Sequence, residues 1–150
     1  MTFIRKTTKT WGLRTPFLMS KYFNGYEENH EMKNDVKVGR HAIFELYGCD
    51  SNLLDDEQYV VKVLTDAAHE LGATVLSTSS YKFQPQGVTS IVLLSESHIS
   101  IHTWPEKGLA TCDIFTCGTC IPENGIVIFK EKFKATETNS LSTSLHTEHL

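Results

Sequence analysis

The stretch that decides the fold runs over residues 88–116, VTSIVLLSESHISIHTWPEKGLATCDIFT. It contains three segments typical of β-strands: the almost continuously apolar Val88–Leu94, the alternating residues 98–104, and Leu109–Thr116. Residues 105–108, with a proline and a glycine, form a turn between the last two segments. Consecutive strands with such short connections pair antiparallel, so the stretch predicts the centre of an antiparallel sheet.

Upstream of this stretch, the sequence predicts one strand, one helix and a second strand. Residues 41–48, HAIFELYG, mix apolar and polar side chains like a half-buried strand. Asp55 and Asp56 place carboxylates where a helix start favours a cap and negative charge. Apolar residues then recur at helical spacing, namely Val60, Val63, Leu64, Ala67 and Leu71. Gly72 suits the end of this helix, and residues 74–79 predict the next strand.

Downstream of the stretch, Pro122 and Glu123 can begin a second helix. Its apolar face carries Ile126, Phe129 and Phe133. The Ser- and Thr-rich tail from Ala135 is either a final edge strand or disordered. The order of elements predicts an α+β fold, mainly an antiparallel sheet with helices on one face. The other face then needs cover, and dimerisation into an αββα sandwich is one way to supply it.

The composition fits one domain with a real core, because the chain has 150 residues and is 40% hydrophobic. The net charge is −4, yet residues 1–24 hold five basic side chains and no acidic one. Such a start is typical of a transit peptide, a nucleic-acid-binding arm or a loosely ordered extension. We expect the last of these, an extension over residues 1–38 ahead of a domain at residues 39–150. No nucleic-acid partner is expected.

Cellular location is indicated by what the sequence lacks. The basic start has no apolar block of the kind that a secretory signal needs, and no run approaches the length of a membrane span. The four cysteines are therefore expected to be free thiols in a reducing compartment: Cys49, Cys112, Cys117 and Cys120. We expect a cytoplasmic protein without a membrane partner.

Residues 95–106, SESHISIHTWPE, are unusual because reactive polar groups fill one side of a predicted strand. The period of two directs Ile99 and Ile101 toward the core. The opposite face carries His98, Ser100 and His102. Two histidines close to carboxylates and hydroxyls are the groups that general acid–base chemistry uses.

Several interpretations of this strand compete on residue chemistry alone. A metal site could use His98 and His102 with Glu96 or Glu106, but on a strand the histidines lie about 13 Å apart at ~3.3 Å per residue. A serine hydrolase lacks its usual Gly-x-Ser-x-Gly motif here. A polar sheet face with satisfied histidines is the plain alternative.

The pair Cys117 and Cys120 forms a CxxC motif, which is typical of a redox pair or of half a zinc site. A helix start near Pro122 is compatible with the redox pair. A closed zinc site needs four ligands, and the chain has no second CxxC. Chance spacing beside a functional Cys117 is favoured over both.

Two motifs carry a resemblance to a known family: residues 94–106, LSESHISIHTWPE, and residues 113–118, DIFTCG. Shorter matches accompany them at residues 39–41, 49–50, 72–74 and 85–88. Together they span about residues 39–120 and fall in the family's order and spacing. The chain resembles S-adenosylmethionine decarboxylase of the small bacterial and archaeal, pyruvoyl-dependent type.

The resemblance implies that the bond between Glu96 and Ser97 breaks without a protease, giving residues 1–96 and 97–150. The Ser97 hydroxyl attacks the preceding carbonyl, which converts the amide to an ester. Elimination then leaves dehydroalanine, which hydrolyses to a pyruvoyl group. This cofactor forms a Schiff base with the substrate amine and acts as an electron sink, as pyridoxal phosphate would. Neither pyridoxal phosphate nor a metal is expected.

The resemblance also assigns roles residue by residue. His102 matches the histidine that acts in self-processing, and Cys117 matches the cysteine that donates a proton to the decarboxylated intermediate. Glu106 corresponds to the carboxylate that holds the two ribose hydroxyls. The other side chains expected near the substrate are Phe83, Trp104 and Ile99. Since strand alternation places Ser97 opposite His102, a bulge or strained tight turn at residues 96–97 is expected to bring them together.

The implied function is pyruvoyl-dependent decarboxylation of S-adenosylmethionine, which supplies the aminopropyl donor for spermidine biosynthesis. The implied assembly is a homodimer of cleaved protomers. Two alternatives stay open. Related pyruvoyl enzymes decarboxylate arginine or ornithine on the same scaffold. An unprocessed, non-catalytic binding module is the other, although intact Ser97, His102 and Cys117 argue against it.

Overall fold

Six strands form one antiparallel sheet in the computed structural model, which describes residues 36–147. The strands are β1 (Val36–Tyr47), β2 (Val75–Lys82), β3 (Val88–Leu94), β4 (Ser97–Trp104), β5 (Leu109–Thr116) and β6 (Glu137–Thr147). Their order across the sheet is β2-β3-β4-β5-β1-β6, and all neighbours are antiparallel. The predicted extension, residues 1–38, lies almost wholly outside the described residues. Strand β1 begins at Val36, before the predicted domain start at residue 39.

The three central strands confirm the prediction made from residues 88–116. Strands β3 and β5 have the predicted bounds, and β4 begins one residue earlier, at Ser97. A bend of only two residues joins β3 to β4. A single turn of 3-10 helix, Pro105–Lys107, joins β4 to β5, and Gly108 closes it with a φ of 57° that suits glycine.

Three helices accompany the sheet: α1 (Ser51–Asp55), α2 (Glu57–Glu70) and α3 (Glu123–Lys132). The short α1 is missing from the sequence prediction, since five residues are too few for a periodic signal. Asp56 caps α2 as expected, because its carboxylate accepts a hydrogen bond from the Tyr59 N–H. Asp55 instead ends α1 and accepts from the Gly87 N–H at 2.8 Å, which anchors the loop before β3.

The helices cover one face of the sheet, as the sequence predicts. The strands contribute Phe44, Ile99, Ile101 and Ile114 to the core, and the helices contribute Val60, Leu64 and Phe129. Burying each such side chain stabilises the fold by about 1.5–3 kcal/mol before entropy is counted. Gly125 lets α3 approach β5 closely, because a Cβ at this position would lie 2.2 Å from Cδ1 of Ile114.

The other face of the sheet is left uncovered by the helices and loops of residues 36–147, and it carries a band of exposed apolar side chains. Strand pairing places on this face Ile43, Ile91, Leu93, Leu141 and Leu145, which are 43–61% exposed. These side chains make the uncovered face a candidate interaction surface. The polar residues of β4 predicted to face away from the core lie on the same side.

The tail, which the sequence leaves between edge strand and disorder, forms the edge strand β6. It pairs with β1 over nearly the whole length of both strands, with one irregularity between Lys37 and Gly39. Among the helices in the described part of the chain, none is long and apolar enough to cross a membrane.

Candidate active site

The junction between Glu96 and Ser97 lies where the tight bend enters β4. Ser97 has a φ of 150°, a conformation that residues with a side chain rarely adopt, so the backbone is strained there. The Cys117 N–H donates a hydrogen bond of 3.0 Å to the Glu96 carbonyl oxygen. The Glu96 carboxylate accepts another, also of 3.0 Å, from the Thr74 N–H. The expected strained turn is therefore present, and the carbonyl of the Glu96–Ser97 bond is polarised by a backbone donor.

A series of hydrogen bonds runs from Ser97 through His98 to Asp113 on the neighbouring strand. Ser97 Oγ lies 3.3 Å from His98 Nδ1, and His98 Nε2 lies 3.0 Å from Asp113 Oδ2. His41 of β1 reaches the same carboxylate oxygen through its Nε2, at 2.9 Å. The Ser100 hydroxyl donates to the other oxygen, Oδ1. Three adjacent strands thus bring these side chains together on the open face.

The Asp113 carboxylate is stabilised as an anion by these contacts. Burial raises its pKa, but the hydrogen bonds from Ser100, His41 and His98 outweigh burial and leave the pKa below its usual value. An ionised carboxylate has no proton to donate, so each imidazole donates to it through Nε2–H. In a neutral His98 that donates through Nε2, the lone pair is on Nδ1, the atom that faces Ser97.

We call the residues around the junction the cleavage cluster: Glu96, Ser97, His98, Asp113 and Cys117. Sequence reasoning missed Asp113 and its second partner, His41. Asp113 lies in the DIFTCG motif and is the one charged residue of a half-buried strand. That isolated charge is the only feature of the sequence that could have indicated a functional role. The contact with His41 spans 72 residues and needs the pairing of β1 with β5, which alternation within one strand does not reveal.

The four cysteines are free thiols that differ in burial. Burial raises the pKa of Cys49 to about 11, and it also raises the pKa of Cys112 and Cys120. Of the four, Cys117 alone is partly exposed. Within the CxxC motif, Cys120 is therefore a buried thiol, whereas Cys117 is the thiol that reaches the surface.

A pocket of about 380 Å³ lies at the far end of β4 from the junction. Its lining contains three of the predicted substrate contacts and His102: Phe83, Gln84, Gln86, Thr89, His102, Thr103, Trp104 and Glu106. Thr89 Oγ1 lies 2.8 Å from His102 Nδ1, and Gln86 donates to Glu106 at 3.2 Å. We call Phe83, Thr89, His102, Trp104 and Glu106 the pocket cluster.

Ile99, predicted to line this pocket, does not reach it. Its side chain is fully buried on the helix-covered face, because residue 99 alternates with His102 along a regular strand. The same regularity separates the two clusters. Ser97 and His102 are five residues apart on β4, or about 16 Å at ~3.3 Å per residue, so the tight turn does not bring them together within one chain.

One group of side chains in the described part of the chain has the composition of a metal site. His41, His98 and Asp113 each offer one ligand atom, and these atoms lie within 4.8 Å of one another. The two histidines of β4 considered in the sequence, His98 and His102, are not the pair involved. The Nε2 atoms of His41 and His98 both form hydrogen bonds with Asp113, and these hydrogen bonds explain why the three side chains lie together.

Comparison with known proteins gives a consistent result. A family model described as S-adenosylmethionine decarboxylase matches residues 40–144. An S-adenosylmethionine decarboxylase proenzyme of Synechococcus sp. strain WH7803 is 50% identical over 99 residues, covering 65% of this chain and 77% of that protein. A proenzyme of the same name from Methanococcus maripaludis strain C7 is 47% identical over 97 residues, covering 65% and 80%.

The fold has a matching relative among solved structures. The crystal structure of the adenosylmethionine decarboxylase from Aquifex aeolicus aligns with a TM-score of 0.67 and 35% identity, covering 71% of this chain and 89% of that one. The family match includes the whole Glu96–Ser97 junction and the motif around Cys117, where the strained serine and the polarised carbonyl occur. On this evidence the chain belongs to the S-adenosylmethionine decarboxylase family.

Proposed function

We propose that this chain cuts itself between Glu96 and Ser97 and then decarboxylates S-adenosylmethionine. The products of cleavage are residues 1–96 and residues 97–150. The observation that carries the proposal is the junction itself, where a strained serine follows a carbonyl that accepts a hydrogen bond from the Cys117 N–H. Strain in the starting peptide and a donor at the carbonyl oxygen both favour attack by the serine hydroxyl.

Self-cleavage proceeds in two stages. Ser97 Oγ attacks the Glu96 carbonyl carbon, the C–N bond breaks, and an ester to Ser97 with a free amine results. His102 then takes the proton from the Ser97 Cα, and the Cβ–Oγ bond breaks to release the upstream chain with a new carboxylate at Glu96. The dehydroalanine left at residue 97 hydrolyses to a pyruvoyl group and ammonia.

The side chains of the two clusters fit a pyruvoyl group at position 97 and a nucleoside-bearing amino acid beside it. The group supplies a carbonyl that withdraws the electrons left when CO₂ departs. Cys117, the one partly exposed thiol, lies beside the junction and returns a proton to the product. Glu106 binds the ribose hydroxyls, and the aromatic rings of Phe83 and Trp104 bind the adenine.

A homodimer is part of the proposal, because one chain leaves its site incomplete. The cleavage cluster and the pocket cluster are about 16 Å apart on β4, whereas the reaction needs both at one substrate. The open face presents exposed apolar side chains that a second copy would cover. Packing two such faces gives an αββα sandwich in which His102 of one chain serves Ser97 of the other.

Co-expression of two inactive variants tests this arrangement. Ser97→Ala removes the cleavage cluster's nucleophile, and His102→Ala removes the pocket cluster's base. If each site takes one cluster from each chain, the mixed dimer holds one site with both lesions and one intact site. Decarboxylation should then return to about a quarter of the wild-type level for a statistical mixture. No recovery with both chains present in one dimer, or a monomeric mass in solution, contradicts the arrangement.

Release of CO₂ from S-adenosylmethionine, arginine and ornithine, measured side by side, tests the substrate. The account expects turnover of S-adenosylmethionine alone, because a carboxylate and two aromatic rings in the pocket suit a nucleoside. Activity on arginine or ornithine alone would overturn the substrate and keep the cleavage chemistry. The electron sink requires no metal, so EDTA should leave the rate unchanged.

The decarboxylated product carries the aminopropyl group used in spermidine biosynthesis, which places the reaction in polyamine metabolism. Four free thiols support a reducing location, the cytoplasm. The pairing of Ser97 with His98 and the polarised Glu96 carbonyl speak against a non-catalytic binding module, which needs neither.

A further inference from the structure

The contact between Ser97 and His98 has no role in the scheme above, which uses His102 for the elimination and leaves the first proton transfer without a base. We infer that His98 is the catalytic base that accepts the Ser97 hydroxyl proton when Ser97 attacks Glu96. Asp113 is a positioning residue that acts through His98. The inference rests on the proposed self-cleavage and adds the residue that starts it.

The geometry of the hydrogen bonds defines the direction of proton transfer. His98 Nε2 donates to Asp113 Oδ2 at 3.0 Å, so the neutral imidazole keeps its lone pair on Nδ1. That atom lies 3.3 Å from Ser97 Oγ, slightly beyond the ideal length for a hydroxyl donor and short enough to close on attack. A hydroxyl, an imidazole and a half-buried carboxylate in this order form a nucleophile, its base and a group that orients the base.

Asp113 is itself held in one orientation. The Ser100 hydroxyl donates to Oδ1, and His41 donates to Oδ2 alongside His98. Three donors on one carboxylate fix its plane, and therefore fix the imidazole of His98 relative to Ser97. The fixed carboxylate also stabilises the imidazolium that forms when His98 takes the proton.

Other histidines do not fit this step. His41 shares the carboxylate with His98, but the hydrogen bond to Ser97 comes from His98. His102 is five residues along β4, about 16 Å away, and belongs to the pocket cluster. Among the histidines of residues 36–147, His98 is therefore the one that a single chain places at its own nucleophile.

The step balances without a further reagent. The proton of the Ser97 hydroxyl moves to His98 Nδ1 as Oγ bonds to the Glu96 carbonyl carbon, and the Cys117 N–H stabilises the oxyanion that forms. When the C–N bond breaks, His98 returns the proton to the departing nitrogen of Ser97. The amide has become an ester with a free amine, and His98 is neutral again.

The matched pair His98→Gln and His41→Gln tests the assignment, because both histidines donate to Asp113 and one of them alone faces Ser97. The full chain is made by cell-free translation, and the intact fraction is followed by mass spectrometry over time. General bases contribute on the order of 10²–10⁴-fold, so His98→Gln should slow cleavage by about 100-fold or more. His41→Gln keeps an N–H that can donate to Asp113, so it should slow cleavage by less than about 5-fold. Equal slowing of both, or wild-type cleavage of His98→Gln, overturns the inference.

Neutral hydroxylamine separates the two stages, since it cleaves esters and leaves ordinary amides intact. The uncut His98→Gln chain should resist hydroxylamine, because it stops before the ester forms. The uncut His102→Ala chain should be cut at residue 97, because it stops after the ester forms. A hydroxylamine-sensitive His98→Gln chain would place His98 in the second stage and contradict the inference.

Rescue by imidazole distinguishes the loss of a catalytic base from a folding defect. Small-molecule imidazole should restore cleavage of His98→Ala at least 10-fold while leaving a His41→Ala chain unchanged. A His98→Ala chain that has a wild-type circular dichroism spectrum and gains nothing from imidazole would assign His98 a structural role instead. If the wild-type chain stays uncut in the same reaction, the proposed function itself is wrong. If the wild type and His98→Gln are cut at the same rate, self-cleavage stands and only the role of His98 is wrong.

Discussion

The two clusters at opposite ends of β4 differ in how completely one chain organises them. In the cleavage cluster, backbone N–H groups hold Glu96, and three side-chain donors fix Asp113. In the pocket cluster, His102 has one side-chain partner, and Phe83 and Trp104 are 45% and 37% exposed. Under the proposed function, one chain therefore preorganises the attack of Ser97 on Glu96, whereas the elimination by His102 and the binding of substrate need the second chain.

The largest effect should follow removal of the nucleophile. Ser97→Ala leaves no hydroxyl to attack the Glu96 carbonyl, so we expect no cleavage and no decarboxylation above background. Ser95→Ala is the matched control, since Ser95 lies in the same bend and is exposed. Gel electrophoresis and CO₂ release measure the two outcomes. Cleavage of the Ser97→Ala chain at residue 97 would contradict the assignment.

A smaller effect, confined to turnover, should follow Cys117→Ala. The hydrogen bond that polarises Glu96 comes from the backbone N–H of residue 117, which alanine keeps, so self-cleavage should proceed. Loss of the thiol that returns a proton should lower kcat by about 10²-fold. Cys120→Ala, which removes a buried thiol three residues away, is the control and should keep kcat. Wild-type turnover of Cys117→Ala would show that another group donates the proton.

Substrate affinity should respond to a change in the pocket cluster alone. Glu106→Gln keeps the shape of the side chain but weakens a charge-assisted hydrogen bond, which corresponds to about a 10-fold rise in KM at little cost in kcat. Self-cleavage should keep its wild-type rate, because neither stage of the proposed cleavage uses the Glu106 carboxylate. The exposed Glu70→Gln on α2 serves as the control. A Glu106→Gln chain that fails to cleave would break the separation of the two clusters.

The smallest effect concerns stability. Asp113→Asn removes a carboxylate that three donors satisfy, and it should lower the free energy of unfolding by about 1–3 kcal/mol. Because hydrogen bonds hold the folded-state pKa of Asp113 below its usual value, this contribution is present above the unfolded pKa of about 3.9 and is lost as the pH falls through the lower folded-state pKa.

Urea unfolding of both chains between pH 7 and pH 3 measures that contribution. The difference in the free energy of unfolding between wild type and Asp113→Asn should be constant above about pH 5 and should shrink below about pH 4. Asp66→Asn, which removes a surface pair with Lys62, should cost about 0.5 kcal/mol or less. A difference that grows on acidification would have the wrong sign for a carboxylate stabilised in the folded state.

The local parts of the fold were predictable because each rests on nearby residues. Alternation and turn residues define β3 and β5, and Asp56 marks the start of α2. The tail had no such signal: β6 is polar and mostly exposed, and its pairing with β1 decides its structure. A five-residue helix such as α1 is too short for periodicity to detect.

In the candidate site, too, the local features could be predicted from the sequence and the long-range contacts could not. The motif around Ser97 and Cys117 locates the junction, and its strain was expected from the alternation of β4. The contacts of Asp113 with His41 and His98 depend on which strands are neighbours and in what register, so the sequence alone did not reveal them. Alternation did predict that Ser97 and His102 face opposite ways; the regular strand adds that one chain does not bring them together.

The intact mass of the purified wild-type protein shows directly whether the chain cuts itself before Ser97. We expect two chains, residues 1–96 and residues 97–150, with the second beginning in a pyruvoyl group. The mass of that second chain should be about 17 units below that of the same peptide with an N-terminal serine amine, because elimination and hydrolysis together replace the serine by a pyruvoyl group with the net loss of one ammonia. A single unbroken chain of 150 residues, or a cut at any other bond, would contradict it.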